Sequence, residues 1–155
     1  GHKVWRYPEA SRAVVAAGHE LHNHTWSHPA DSFWAASPAC ARREITGANH
    51  AIRQVTGQTP RFFRAPAGLA NPFVHAAAAR AGLRLAGWSA RGYDGVQHEP
   101  EAVVSRIVRR LRPGAIILLH EGPVSGLRPG TRARTLERLL GKLSALGYGT
   151  ARAPD

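Results

Sequence analysis

Two histidines, His24 and His28, lie four residues apart in the segment H-N-H-T-W-S-H-P, residues 22–29. On a helix, this spacing would place both imidazoles on one face. A glycine before the segment, a proline at its end, and the hydroxyl residues Thr25 and Ser27 disfavour a helix, so we expect a strand end followed by a loop. In either conformation, two neutral imidazoles can bind a divalent metal ion such as zinc.

Histidines with this spacing can also be surface or capping groups, and the pair alone does not decide between the two interpretations. Catalytic zinc normally takes three protein ligands and one water. The chain has three aspartates, Asp31, Asp94 and Asp155. Asp31 is the nearest of them to His28 in sequence, although it fits a solvated loop position equally well. The identity of a third ligand is therefore open.

Length and composition favour one globular domain, which we place at residues 1–155. No apolar run approaches the roughly 20 residues of a membrane span. The single cysteine, Cys40, excludes an internal disulfide and a cysteine-based zinc cluster. The net charge of +11 would suit a polyanion, but the arginines are scattered along every predicted helix. This scatter favours a compositional origin over a nucleic-acid partner.

Turn and capping residues predict helices over 7–17, 37–55, 73–81, 99–111 and 131–146. On the last helix, the leucines at 136, 139, 140 and 143 are expected on one side. Strands are predicted up to His24 and over 61–64, 83–89 and 115–119, the last of them buried, with a loop over 90–98. Strands and helices alternate, which indicates an α/β fold of parallel βαβ units.

Polar residues follow each predicted strand. His24 and His28 follow the first, Arg64 the second, Asp94 the third and His120 the fourth. Chemistry in parallel α/β folds collects at the carboxyl ends of strands, so this placement predicts an active site. His120 is either a core histidine or a general acid with Asp94 as its partner. Arg64 either orients a catalytic or substrate oxygen or is exposed at a strand edge.

Four blocks resemble those of the polysaccharide deacetylases, the chitooligosaccharide deacetylase type of carbohydrate esterase. They are H-T-W-S-H at 24–28, R-A-P-A-G at 64–68, Trp88-Ser89 through Asp94, and Leu118-Leu119-His120, in the family's order. The resemblance implies a distorted (β/α) barrel. It also implies metal-dependent hydrolysis of an N- or O-acetyl group on a glycan such as chitooligosaccharide or peptidoglycan. Zinc is the favoured metal, with cobalt or nickel as alternatives.

The resemblance also assigns roles and a location in the cell envelope or outside the cell; the sequence itself leaves the location unknown. It implies that His120 is the general acid and that Asp94 orients it, while Arg64 positions the catalytic base. The remaining assignments are His24 and His28 as metal ligands, the Ala67 backbone N–H as oxyanion donor, Leu118 in the acetyl pocket, and Trp88 and Tyr93 as substrate contacts.

The chain departs from the family pattern in three places. Ala67 and Gly95 stand where aromatic residues are usual, and the first block, Thr-Phe-Asp-Asp-Gly, is absent. That block supplies the third ligand and the base in the family. Residues 1–5 also show neither an initiating Met nor the apolar stretch of a signal peptide, so we expect an internal piece of a longer chain. We therefore expect an N-terminally incomplete barrel, a missing N-terminal segment as a partner, and no activity of the isolated 155 residues.

Two alternatives stay open. The first is a non-catalytic module on the same fold that binds glycan or polyanion. The second keeps the hydrolytic chemistry but changes the substrate to another linear amide, such as an acetylated polyamine or a ring-opened purine derivative.

Overall fold

The computed structural model describes residues 1–122 and 126–153. It divides into two compact units, Gly1–Gly87 and Trp88–Asp155. Asp155 and part of the predicted loop after His120 lie outside the described residues. The assignment of residues 1–155 to one catalytic domain stays a prediction. Within the described ranges, no helix combines the length and apolar character needed to cross a bilayer.

The first unit contains helices α1 (His2–Arg6), α2 (Pro8–Ala16), α3 (Pro38–Thr56) and α4 (Pro72–Arg80). Short strands β1 (Phe62–Phe63) and β2 (Arg84–Leu85) and two 3₁₀ helices complete it. The Ser37 side chain caps α3 and Asn71 caps α4, while Gly57 ends α3 in the left-handed conformation. The predicted boundaries of these two helices are confirmed. Helix α1 was not predicted.

Parallel pairing in the first unit places two predicted site segments side by side. Strand β1 pairs with β2 in parallel, and Asn23 forms a parallel bridge to Phe63. The chain therefore leaves Asn23 and β1 in the same direction, toward His24 and Arg64. Phe33, Ile45, Phe63 and Val74 are buried in one core beneath these segments.

The second unit contains β3 (Ala90–Arg91), α5 (Pro100–Val108), β4 (Ile117–Leu118) and α6 (Thr131–Ala145). Strands β3 and β4 are parallel, with Arg91 in register with Leu118. Helices α5 and α6 cover one face of this pair through a second core that includes Ala90, Val103, Ile107, Leu139 and Leu143. The predicted parallel pairing is confirmed in both units.

Strand β3 corrects the predicted loop over 90–98. The Ser89 and Ala90 amides donate to the Ile116 carbonyl at 3.0 and 3.1 Å, so this short polar segment pairs with β4. The predicted strand over 83–89 is wrong in extent, because the strand within this range covers only Arg84–Leu85. Hydrophobic patterning missed β3 because the strand has two residues and one of them is an arginine.

The prediction of a buried strand over 115–119 is also wrong, because β4 is half-buried. Ile117 and Leu119 pack on the α5–α6 core. Alternate side chains of a strand point to opposite faces. Leu118 therefore lies on the other face, where Ile116 is exposed.

Helix α6 buries a different stripe from the predicted leucine face. Leu139 and Leu143 are buried as predicted, whereas Leu136 and Leu140 are exposed. The buried positions are Thr131, Thr135, Leu139 and Leu143, which repeat every four residues. Thr135 can be buried on this face because its hydroxyl is paired, donating to the Thr131 carbonyl at 2.8 Å.

Candidate active site

Asn23 anchors the histidine loop to the first unit. Its side chain is 1% exposed. The amide nitrogen donates to the Ile45 carbonyl at 2.8 Å and to Asn49 Oδ1 at 2.7 Å, and Oδ1 accepts the Thr25 N–H at 2.9 Å. Because a buried amide is costly unless its polar atoms are paired, these bonds fix where the loop begins.

The loop itself is strained and doubly held. Thr25 and His28 have φ of +69° and +60°, which non-glycine residues rarely adopt. The Thr25 hydroxyl accepts the His28 N–H at 3.1 Å. Glu44, which is buried on α3, accepts the Ser27 N–H at 2.8 Å and the Ser27 hydroxyl at 3.0 Å. The expected strand end and loop are confirmed, since the segment is not helical.

The two imidazoles of the loop lie next to each other, with ring centroids 4.8 Å apart. His24 Nδ1 lies 2.7 Å from the carbonyl oxygen of Arg64. A carbonyl can only accept, so Nδ1 carries the proton and the Nε2 lone pair stays available. Loss of hydration lowers the pKa of His24, and the charges of His28 and Arg64 lower it further, against the opposing effect of the bond to the Arg64 carbonyl. The neutral ring is therefore favoured.

Arg64 and Ala67 occupy the segment that follows β1. The Arg64 guanidinium donates to the Gly87 carbonyl at 2.9 Å and to the Ala86 carbonyl at 3.3 Å. Burial lowers the pKa of Arg64. Ala67 is exposed in the 3₁₀ helix Pro66–Gly68 with φ of +54°, a strained position for a residue with a Cβ.

Asp31 does not join the two histidines. The residue is exposed. Among the residues that the structure describes, no three His, Cys, Asp or Glu side chains lie close enough together to hold a metal ion. The first unit therefore brings together His24, His28 and Arg64, without a carboxylate ligand from Asp31.

In the second unit, Asp94 and His120 form a hydrogen-bonded pair. Asp94 Oδ1 lies 2.9 Å from His120 Nδ1, and Oδ2 accepts the His120 backbone N–H at 2.7 Å. The carboxylate is 9% exposed and the imidazole is 51% exposed. A carboxylate accepts the Nδ1 proton, so Nε2 is the nitrogen left for a reacting group.

Sequence reasoning missed two residues that hold these groups, Glu44 and Arg132. Arg132 Nη1 donates to Asp94 Oδ2 at 3.1 Å and also contacts the His120 carbonyl. Glu44 could have been recognised, since it falls on the buried face of α3 between Ala41 and Ala48. The Arg132 position carries a weaker signal, a basic residue in the first turn of a helix, where the dipole disfavours it.

Tyr93 and Trp88 lie around Arg91. The Arg91 guanidinium is 4.3 Å from the Tyr93 ring centroid and 5.8 Å from that of Trp88, and it donates to the Tyr93 hydroxyl at 3.1 Å. Arg91 is in register with Leu118, on the face turned away from the α5–α6 core. Gly92 lies between Arg91 and Tyr93. Glycine is required at this position, because a Cβ there would lie 2.4 Å from Val103 Cγ1.

Comparison with known proteins gives the family. The family model for polysaccharide deacetylases matches residues 1–86. A chitooligosaccharide deacetylase from Bradyrhizobium sp. (strain ANU 289) is 38% identical over 148 residues, which cover 94% of this chain and 67% of that protein. The chain belongs to the polysaccharide deacetylase family.

Solved structures from the deacetylase family share the fold. A family 4 carbohydrate esterase from Streptomyces lividans, in complex with acetate, superposes with a TM-score of 0.84 at 28% identity, over 99% of this chain and 80% of that one. A family 4 pseudoenzyme from Bacillus anthracis gives 0.83 at 27% identity, over 96% of this chain and 50% of that one. The predicted fold class is confirmed. The chain spans about two thirds of the curated relative's length and half of the pseudoenzyme's.

Polysaccharide deacetylases are generally metal-dependent, and the histidine loop of this member fits a metal ion. The bond from His24 Nδ1 to the Arg64 carbonyl leaves Nε2 free in the neutral ring, and the His28 ring lies beside it. Imidazole nitrogen suits zinc, copper, iron and nickel alike, so the donor set does not select one metal. A divalent ion would be held by His24 and His28 from the described part of the chain.

Proposed function

We propose that this chain takes part in the metal-dependent hydrolysis of an acetyl group on a glycan. The named relatives support this assignment. They are the chitooligosaccharide deacetylase from Bradyrhizobium and a peptidoglycan-N-acetylglucosamine deacetylase from Bacillus cereus, 29% identical over 96% of this chain. The observation that carries the proposal is the proximity of His24 and His28. The contact of His24 Nδ1 with the Arg64 carbonyl leaves His24 Nε2 free.

The proposed roles in the first unit concern the acetyl group. A bound divalent ion would supply Lewis-acid polarisation and an activated water. Arg64 would orient the carboxylate that serves as base, and the Ala67 N–H would donate to the oxygen that becomes negative as water adds to the acetyl carbon. Ala67 can fill this role despite its small side chain, because only its backbone takes part.

The proposed roles in the second unit concern the leaving group. His120 would hold a proton at Nε2 and give it to the amine nitrogen as the carbon–nitrogen bond breaks, which releases a free amine and acetate. Asp94 would hold the ring in the tautomer that this transfer needs. Leu118 would contact the acetyl methyl group, and Trp88 and Tyr93 would contact the sugar.

We propose zinc as the metal, with cobalt or nickel as alternatives. We also propose that its carboxylate ligand and the base come from a segment outside residues 1–155, because Asp31 forms no group of three potential metal ligands with the histidines in the described part of the chain. Zinc titration of the 155-residue chain by calorimetry tests this. Weak binding that His24→Ala abolishes is expected. Tight one-to-one binding by the chain alone would refute the external ligand.

Acetate release tests the function itself. The 155-residue chain and the longest open reading frame that contains it are assayed beside each other with zinc. Substrates are acetylated chitooligosaccharide and N-acetylated peptidoglycan fragments. We expect acetate from the complete reading frame and none from the shorter chain. Release by neither, with folded protein and saturating zinc, would contradict the proposed hydrolysis.

One observation favours a second candidate, a non-catalytic glycan-binding module. The similar Bacillus anthracis protein is a pseudoenzyme, and this chain exposes Tyr93 beside Arg91 and Trp88, an arrangement that can stack on a sugar. Glycan binding without acetate release, retained in His120→Ala and lost in Tyr93→Ala, would favour the module. A collapse of binding with added salt would indicate a polyanionic ligand.

A further inference from the structure

The guanidinium of Arg132 touches both members of the Asp94–His120 pair. Nη1 donates to Asp94 Oδ2 at 3.1 Å and contacts the His120 backbone carbonyl. Its side chain is 18% exposed and that of Asp94 is 9% exposed. Hydrogen bonds between ionised partners are shorter and stronger than neutral ones, and low exposure protects this contact from salt and water.

Helix α6 holds Arg132 in this position rigidly. Gly130, with φ of +75°, begins the helix, and the first helical residue, Thr131, is buried. Leu139 and Leu143 fix the same helix to the core under α5. The backbone of Arg132 is therefore fixed independently of the Asp94 contact, so the guanidinium can restrain Asp94 and not only follow it.

The location is unfavourable for Arg132 by two other measures. It lies in the first turn of α6, which has no acidic residue and no side-chain cap, and the positive end of a helix dipole repels a cation. Its Nη2 is buried and has no hydrogen-bond partner within the part of the chain that the structure describes. A buried donor left unpaired lowers stability. The contacts with Asp94 and with the His120 carbonyl oppose these two costs.

The contact completes the bonding of the carboxylate. Asp94 Oδ1 takes the imidazole Nδ1, and Oδ2 takes the His120 N–H and Arg132 Nη1. An aspartate carboxylate rotates over a broad range unless both oxygens are held. Without Arg132, Oδ2 would keep only its bond to the His120 N–H, while Oδ1 bonds the ring of the same residue. The direction of the imidazole would then depend on His120 alone.

We propose that Arg132 is a positioning residue for the proton-donating histidine. It acts through Asp94, does not touch the substrate, and fixes the Nδ1–H of His120 on Oδ1 so that Nε2 stays directed away. The inference rests on the proposed hydrolysis for its purpose, but the restraint itself is a property of the 155-residue chain. It can therefore be measured without turnover.

Nuclear magnetic resonance of the ¹⁵N-labelled chain gives that measurement. The His120 Nδ1 proton is assigned by its absence from His120→Gln. We expect a slowly exchanging resonance in the native chain, its loss through exchange in Arg132→Gln, and partial recovery in Arg132→Lys, which keeps the charge with a single donor group. Arg134→Gln is the control. This substitution removes the same charge from α6, but Arg134 contacts Thr131 instead of Asp94.

Kinetics of a form that releases acetate supply the second measurement. Arg132→Gln is expected to lower kcat about 10- to 100-fold with KM unchanged, as for a misplaced catalytic group, and added guanidinium is expected to restore part of kcat in Arg132→Ala.

A native resonance in folded Arg132→Gln, or an equal effect of Arg134→Gln, would overturn the inference. If Arg132→Gln does not fold, Arg132→Lys decides, because a resonance there as slowly exchanging as in the native chain would also overturn the inference. Loss of the resonance without acetate release from any form would retain Arg132 as a positioning residue and reject the hydrolysis.

Discussion

His24 in the first unit and His120 in the second both fix their rings through Nδ1, but on acceptors of different charge. His24 donates to the Arg64 carbonyl at 2.7 Å and His120 to the Asp94 carboxylate at 2.9 Å. Loss of hydration lowers the pKa of His24, and its bond to the uncharged Arg64 carbonyl only partly opposes this shift. A carboxylate stabilises an imidazolium. This difference in acceptor charge agrees with the proposed roles, in which His24 donates a lone pair to a metal ion and His120 donates a proton.

The supports of the two histidines differ as well. Asn23 and Glu44, both buried, hold the His24 loop from the inside, whereas Arg132 holds Asp94 from a neighbouring helix. Of the four positive-φ non-glycine residues in the described chain, Thr25, His28 and Ala67 lie in the first unit and Tyr93 in the second. Each such residue costs on the order of 1–3 kcal/mol. The buried bonds of the first unit offset more backbone strain than those of the second.

Removing either His120 or His24 gives the largest expected effects, and the two substitutions should affect different properties. In a form that releases acetate, His120→Ala should lower kcat by about 10²–10⁴-fold, because the leaving amine loses its proton donor. Zinc affinity should stay unchanged. His24→Ala should instead remove zinc binding while the His120 Nδ1 resonance persists. Calorimetry and the acetate assay measure both, and weaker zinc binding in His120→Ala would contradict this division of roles.

The sequence was sufficient for the described α-helices other than α1 and for the order of the site residues. Ser37, Asn71 and Gly57 define helix ends through local hydrogen bonds and a left-handed backbone, which depend on few neighbours. The four polar features do follow extended segments, since His24 follows the Asn23 bridge and Arg64 follows β1. Asp94 follows β3 and His120 follows β4.

Features set by distant packing could not be predicted. Strand β3 exists because Ile116 offers its carbonyl across the chain, and no property of Ala90–Arg91 indicates that. Leu136 and Leu140 are exposed because α6 turns its threonine-containing stripe to the core. The site roles stay predictions taken from the family resemblance, whereas the Asp94–His120 contact and the His24–His28 proximity are observed geometry.

Asn23→Ala tests whether the His24 loop depends on its buried anchor. The change leaves the Thr25 N–H and Asn49 Oδ1 without their partner, and each buried unpaired group costs about 1–3 kcal/mol. We expect the free energy of unfolding to fall by about 3 kcal/mol in urea titration. Asn71→Ala is the control; it loses the α4 cap and the bond from Asn71 Nδ2 to the Ala36 carbonyl at 2.9 Å, and should cost about 1–2 kcal/mol. Equal costs would show that Asn23 is no special anchor.

Glu44→Gln tests the second anchor of the same loop with a smaller change. The amide keeps one oxygen for Ser27 and loses the charge that strengthens the two contacts, so we expect a loss of about 1–2 kcal/mol. Weaker zinc binding should accompany it, because His28 follows Ser27 directly. Glu9→Gln, at a surface pair with Arg12, should change stability by about 0.5 kcal/mol at most. A loss no larger than this control would assign Glu44 no anchoring role.

Ala67→Gly and Tyr93→Gly compare the strained positions of the two units, with the smallest expected effects. Ala67 is exposed, so glycine removes a left-handed strain of about 1–2 kcal/mol and adds about 0.5–1 kcal/mol of unfolded-state entropy. A net gain of about 0.5 kcal/mol should raise the melting temperature slightly. Tyr93→Gly relieves similar strain but also loses the Arg91 contact, worth about 0.5–1 kcal/mol, so no gain is expected there. The strain at Tyr93 accompanies a side-chain contact, whereas the strain at Ala67 does not. A Tyr93→Gly variant more stable than the native chain would therefore mean that the Arg91 contact adds nothing to the stability of the second unit.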